Sequence, residues 1–287
     1  MPSSPAPCFS PLVARATLPD RDEEDKMKLL ERHDTGAVAR LCLNAADRLN
    51  ALSDAMLAAL QDQLVALAQD RDIRVVVISG AGRAFCAGHD LREMQAARQA
   101  ADGGAAAFAD LFARCARVMT GITTLPQVVI AQVHGIATAA GCQLVASCDM
   151  AVAAEGTRFG VNGVNIGLFC STPMVALTRN IPRKAAFEML TTGRLIEAPE
   201  AQALGLVNRV VPPDTLAAET LALAETVAAK LGAAVRIGKS AFYAQADLPL
   251  EQAYAHAGAV MAENMSWRDT EEGIAAFLEK RRPDWQG

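Results

Sequence analysis

Three short apolar runs set the fold class of this chain: "IRVVVISG" (73–80), "QVVIAQVHG" (127–135) and "MAVAAE" (150–155). They are too short for ordinary helices and lack polar–apolar alternation, the pattern of strands covered on both faces. "AVARLCLN" (37–44) alternates and predicts a half-buried strand, and "GLVNRVV" (205–211) predicts one more. Between the strands the spacing turns helical. Leu57, Leu60, Leu64 and Leu67 recur behind a Ser53 N-cap, and Phe108, Leu111, Phe112, Cys115, Val118 and Met119 mark a second helix. From Pro213 onward helical period dominates, over 214–231, 233–246, 250–264 and 268–281. Strand–helix alternation followed by a run of helices predicts an α/β chain, a βαβ core with a helical C-terminal part.

Composition narrows the function classes. The 287 residues carry a formal net charge of −5, with no Lys/Arg stripe and interleaved aromatics, which argues against a nucleic-acid partner. The 7 cysteines are odd in number and never form C-x-x-C, so neither a disulfide framework nor a zinc site is expected. They read as small buried hydrophobes in a reducing compartment. His33, His89, His134 and His256 lack metal-ligand spacing. The longest apolar stretch, "VVIAQVHGIATAAG", is broken by Gln132 and His134, so no membrane partner is expected. Residues 1–26, rich in Pro, Ser and Ala, read as a disordered tail; Arg15 is the only basic residue ahead of Asp20, against a transit peptide. A core over 27–212 and a helical region over 213–287 follow.

Two loops share a design. "CAGHD" (86–90) and "ATAAGC" (137–142) each follow an apolar strand and precede a helix, where backbone N–H groups lack intrahelical acceptors. Small residues let a ligand oxygen come close. Two such turns side by side would give one carbonyl oxygen two donors, an oxyanion hole for acyl transfer or enolate chemistry. A dinucleotide fingerprint fails here because its third glycine falls on Phe85, and no Lys-Ser/Thr of a P-loop follows.

The segments "GAGRAFCAGHDLREM", "AQVHGIATAAGCQLVASCDMAVA", "RFGVNGVNIGLF", "LTTGRLIEAPEAQALGLVNRVV" and "EEGIAAFLEKRRP" occur in this order from about Met27 to the C-terminus. Together they resemble the crotonase family, the enoyl-CoA hydratases and isomerases. The resemblance implies a ClpP-like spiral of ββα units forming two nearly perpendicular sheets, with a C-terminal helical trimerisation region. It also implies a homotrimer or hexamer in which Ala257, Val260 and Met261 lie on apolar helix faces buried against a partner. The implied substrate is an acyl-CoA, with no metal or redox cofactor, in lyase-type fatty acid metabolism in the cytoplasm, or in the mitochondrial matrix of a eukaryotic source.

Residue by residue, the resemblance assigns the hole to the main-chain N–H groups of His89 and Ala140. Family hydratases carry two glutamates where this chain has Gln143 and Gly163. An amide exchanges no proton near neutral pH and glycine has no side chain, so classical hydration is expected to be weak or lost. Three readings follow: a hydratase or isomerase, another thioester reaction such as decarboxylation or hydrolysis, or an acyl-CoA-binding protein without catalysis. Gln143 either meets the substrate or is satisfied by neighbouring backbone. Asn162, Asn165 and Ser171 lie on the loop that bears catalytic groups in some relatives. Coenzyme A contacts carry over to Arg48, Leu49, Ala51, Ala87 and Asp90. Phe277 and Lys280 match residues that reach a neighbouring subunit's CoA phosphates. Asp90 and Glu93 also suit a helix N-terminus by charge.

Overall fold

The computed structural model describes residues 29–286, so the expected tail over 1–26 lies outside the described residues. Strands β1 (Leu30–Thr35) and β2 (Val38–Leu43) form an antiparallel hairpin around Gly36, whose φ of +56° suits the turn. The sheet continues in parallel through β3 (Val75–Gly80), β4 (Val128–Val133), β6 (Met150–Ala154) and β9 (Arg209–Val211), in the order β1-β2-β3-β4-β6-β9. A second sheet of order β5-β7-β8 is built from β5 (Ile136–Thr138), β7 (Arg158–Gly160) and β8 (Leu195–Glu197).

The central apolar runs serve two cores at once. Val76, Ile78, Val129 and Ala131 point into the larger one, while Val75, Val77, Val128 and Ile130 point into a smaller one. Alternate residues of a strand face opposite sides, so a strand between two cores must be apolar throughout. The larger core is covered by α1 (Asp54–Gln69), which buries Met56, Leu57, Leu60, Leu64 and Leu67. Its N-cap is Ser53, whose hydroxyl accepts the Met56 N–H at 3.2 Å. Next come α2 (Leu91–Ala97), α3 (Ala105–Thr124) and α4 (Ala140–Ser147). Every residue of α4 is buried, which explains its run of small side chains.

Helices α5 (Ser171–Asn180), α6 (Arg183–Thr192) and α7 (Ala198–Leu204) lead to β9. Sequence reading extends that strand back to Gly205. Instead Gly205, at φ +91°, caps α7, and pairing begins at Arg209. Helix α8 (Leu216–Ala228) closes the smaller core with Leu216 and Ala224.

The arm formed by α9 (Gly232–Ala246), α10 (Leu250–Met265) and α11 (Arg268–Leu278) is held by a buried polar knot. Lys239 Nζ donates to the carbonyls of Ile122 (2.9 Å) and Gln127 (2.8 Å) and to the Asp149 carboxylate (2.6 Å). Tyr243 O–H donates to the other Asp149 oxygen at 2.7 Å. Helix α10 buries none of its residues, and Leu250, Tyr254, Met261, Phe277 and Leu278 are exposed. Among the described residues no helix is long and apolar enough to cross a membrane.

Candidate active site

A groove of about 460 Å³ opens where the carboxyl ends of β2 and β3 meet β5 and the segment 162–170. On one wall a loop passes through Leu49 and Asn50, both left-handed at φ +54° and +53°. Asn50 holds that loop: it is buried, its Oδ1 accepts the Ala45 N–H at 2.9 Å, and its Nδ2 donates to the carbonyls of Ala81 (2.9 Å) and Ala84 (2.8 Å). The turn after β3 is stitched to the same loop, with Ala87 N–H donating to Leu49 O (3.0 Å) and Leu52 N–H to Gly88 O (2.7 Å). Arg48, Leu49, Ala51, Ala87 and Asp90 all line the groove. Asp90 is the N-cap of α2, its Oδ1 accepting the Arg92 N–H at 2.8 Å, and it lies 3.5 Å from the Arg48 guanidinium. Glu93 faces away and accepts the Asp54 N–H at 2.8 Å, capping α1.

The two small-residue turns are neighbours. A methyl group placed on Gly88 would sit 3.0 Å from the Ala139 side chain and 3.3 Å from the Ala140 nitrogen. Ala140 opens α4, so its N–H has no intrahelical acceptor, and Gln143 N–H makes the first helical bond to Ala139 O at 3.0 Å. Ala139 itself holds φ +49° and ψ −119°, a costly conformation for a residue with a Cβ and one that clusters at functional sites. Among the described residues the His89 N–H has no acceptor either, since the hydrogen bonds of this turn run through Ala87 and Gly88. A ligand carbonyl reaching both groups would find two unspent donors.

The His89 side chain points elsewhere. Its ring packs edge-on against Phe112 at 5.7 Å between centroids, with Nδ1 3.4 Å from Leu52 O. Burial lowers its pKa below the usual histidine value, which keeps the ring neutral.

The two positions that the resemblance assigns to glutamates, Gln143 and Gly163, differ in kind. Gln143 is 5% exposed, and its Oε1 has no hydrogen-bond partner among the described residues. Neighbouring backbone therefore leaves that oxygen without a donor. Gly163 lines the groove, yet a Cβ there would collide with the Leu168 carbonyl and come 2.8 Å from Cys170 Sγ. The Leu168 carbonyl and the Cys170 thiol occupy the space that a side chain at 163 would need. Burial raises the pKa of Cys170 and pushes Cys86 and Cys142 up to about 12, so these thiols stay protonated near neutrality.

Asn162 and Asn165 line the groove, whereas Ser171 is exposed beside it, its hydroxyl donating to Phe169 O at 3.4 Å. Phe277 and Lys280 lie outside their own chain's groove; Phe277 is 82% exposed. Sequence reading missed Arg83, Arg92, Met94 and Thr138 on the lining, because single surface residues carry no periodic signal. Thr138 alone had a cue, its place at the head of the second turn.

The parallel-rich sheet, the second small sheet and the buried helix rising from a strained small-residue turn define a crotonase-fold protein. The chain belongs to the enoyl-CoA hydratase/isomerase family, whose sequence profile matches residues 33–287. It is 46% identical over 248 residues to the enoyl-CoA hydratase domain-containing protein 3, mitochondrial, of Xenopus laevis, covering 86% of this chain and 83% of that one. Among solved structures it resembles an enoyl-CoA hydratase of Mycobacterium smegmatis, with TM-score 0.86 and 53% identity, over 90% of this chain and 99% of the other. The human enoyl coenzyme A hydratase domain-containing protein 3 superposes with TM-score 0.85 at 43% identity, over 90% of this chain and 100% of that one. "GLFCST" and "AAGCQLVASCD" are the segments that resemble this branch of the family.

Proposed function

We propose that this protein binds an acyl-CoA thioester and polarises its carbonyl with the N–H groups of His89 and Ala140. One observation carries the reading: two neighbouring turns present main-chain donors without acceptors beside one groove. A thioester oxygen between them would gain charge on the way to an enolate, and donors fixed before the reaction cost nothing to reorganise. Arg48, Leu49, Ala51 and Ala87 would hold the nucleotide and pantetheine portion. Lys280 and Phe277 would serve a second copy's CoA, and the exposed apolar faces of α10 and α11 support assembly as a trimer or pair of trimers. The chemistry asks for no metal or redox group.

Hydration of a short enoyl-CoA is the weaker part of the family repertoire here. Gln143 cannot shuttle a proton, and the position at 163 is filled by protein. Each lost acid–base group costs on the order of 10²–10⁴ in rate. The second reading is a thioester reaction that forms an enolate without a carboxylate base, such as loss of carbon dioxide, and the crowding around Gly163 favours it. The test is crotonyl-CoA hydration, followed by loss of enone absorbance, for wild type beside Gln143→Glu, with calorimetric titration of acyl-CoA. The expected result is slow or absent hydration with acyl-CoA binding retained. A wild-type rate in the range of ordinary family hydratases, or failure to bind any acyl-CoA, overturns it. Restoring the second glutamate is predicted to fail, since a side chain at 163 must first displace the Leu168 carbonyl.

A further inference from the structure

Beyond the donor pair, the groove has a lip with no work assigned to it. Leu91, on the first turn of α2, is 54% exposed; Ile166 and Leu168 are 63% and 40% exposed, and all three line the same groove as Gly163 and Ala139. The lip is preformed. The segment Asn162–Ile166 is a tight 3-10 turn ended by Gly167 at φ +77°, and Leu168 N–H donates back to Gly163 O at 3.0 Å. Asn165 Nδ2 donates to Gly193 O at 3.5 Å. Large apolar side chains held rigidly in water beside a binding groove mark where an apolar group is expected.

We propose that the lip formed by Leu91, Met94, Ile166 and Leu168 selects thioesters with long apolar acyl chains over short ones. This rests on the acyl-CoA reading above. A four-carbon acyl group has only three carbons beyond its carbonyl, and these stay beside Gly163 and Cys170. In this proposal a longer chain extends along the groove over Leu91 and Ile166 and removes them from water. Each covered methylene is worth about 0.8 kcal/mol, roughly fourfold in affinity, so three or four of them give on the order of a hundredfold.

The experiment is calorimetric titration of the full chain with butanoyl-CoA and octanoyl-CoA, both saturated and so inert to hydration. The expected octanoyl-CoA affinity is on the order of a hundredfold higher, falling to within about tenfold in Ile166→Ser/Leu168→Ser. Phe169→Ser serves as the control: Phe169 is 41% exposed but does not line the groove, and this variant keeps the wild-type ratio. Equal affinity for the two thioesters overturns this proposal and leaves the acyl-CoA reading standing. A lip variant that keeps the wild-type ratio also overturns the proposal, and if that variant changes oligomeric mass in sedimentation the lip is a subunit contact instead. Binding of neither thioester overturns both readings.

Discussion

Gly141→Ala sets two effects of opposite sign against each other. Gly141 is the second residue of α4, and alanine in place of glycine within a helix is worth up to about 1 kcal/mol in propensity alone. Against this, a Cβ at 141 would collide with the Cys86 carbonyl oxygen, with the Cys86 carbonyl carbon only 2.8 Å away. The neighbour is backbone, and that oxygen already accepts the Thr138 N–H at 3.0 Å, so no rotamer change relieves the overlap. Relief needs the two turns to part by about an ångström, to reach ordinary contact distance. Overpacking of this kind costs about 1–3 kcal/mol, and a backbone collision that no rotamer relieves belongs at the upper end, so about 2 kcal/mol of net loss remains, a fall in Tm of roughly 4–8 °C for a chain this long. The same movement separates the His89 and Ala140 N–H groups, and losing one shared hydrogen bond weakens acyl-CoA binding by about tenfold. Scanning calorimetry and acyl-CoA titration read the two effects separately. Gly238→Ala on α9, with nothing within 4 Å of the new Cβ, reports the propensity gain without the collision. If Gly141→Ala matched that control, raising Tm and keeping wild-type affinity, the close approach of the two turns would not be what builds the site.

Lys239→Met is expected to destabilise the fold by about 3–5 kcal/mol in urea denaturation, because it leaves the Asp149 carboxylate without its buried cation. Adding Asp149→Asn should recover part of that loss; a strictly additive double variant would show that the pair is not coupled. Asn50→Ala removes three hydrogen bonds and places alanine in a left-handed conformation, a loss of roughly 2–4 kcal/mol, accompanied by weaker acyl-CoA binding as the 48–52 loop loosens. At the C-terminus, Arg281 at 2.9 Å and the Asp284 N–H at 2.8 Å bring Glu272 down from 4.5 to about 2. A carboxylate depressed in the folded state stabilises it fully above its unfolded value and loses that contribution as pH falls from about 4.5 through about 2. Tryptophan emission from Trp285, whose ring lies on Gly273, should report loosening of the tail in that window, and Glu272→Gln should remove the pH dependence.

What was legible in the sequence follows from which physical signals repeat. β3 and β4 declare themselves because burial on both faces demands unbroken apolar runs, and the C-terminal helices because their period persists over several turns. β1, with the sequence LERHDT, was missed: it is a charged edge strand whose partner, not its composition, makes it a strand. β5, β7 and β8 have three residues each, too few to show any period. At the site, the small-residue turns were readable, since close backbone approach requires small side chains. That Gly88 lies against Ala140, that Asn50 holds the 48–52 loop, and that Leu168 and Cys170 fill the space above Gly163 depend on chain segments far apart in sequence.

The polar knot under the C-terminal arm has a consequence for how the chain is made. Lys239 follows Asp149 by 90 residues, so at ordinary synthesis rates of about 5–20 residues per second the cation emerges roughly 5–20 s after the carboxylate it neutralises. During that interval the Asp149 carboxylate has the Val129 N–H but no cation, and two carbonyls, those of Ile122 and Gln127, await their donor. The fold therefore reaches its final stability only when α9 has left the ribosome, and chains truncated before Lys239 should fall to proteolysis even though every residue of the proposed hole has already been made.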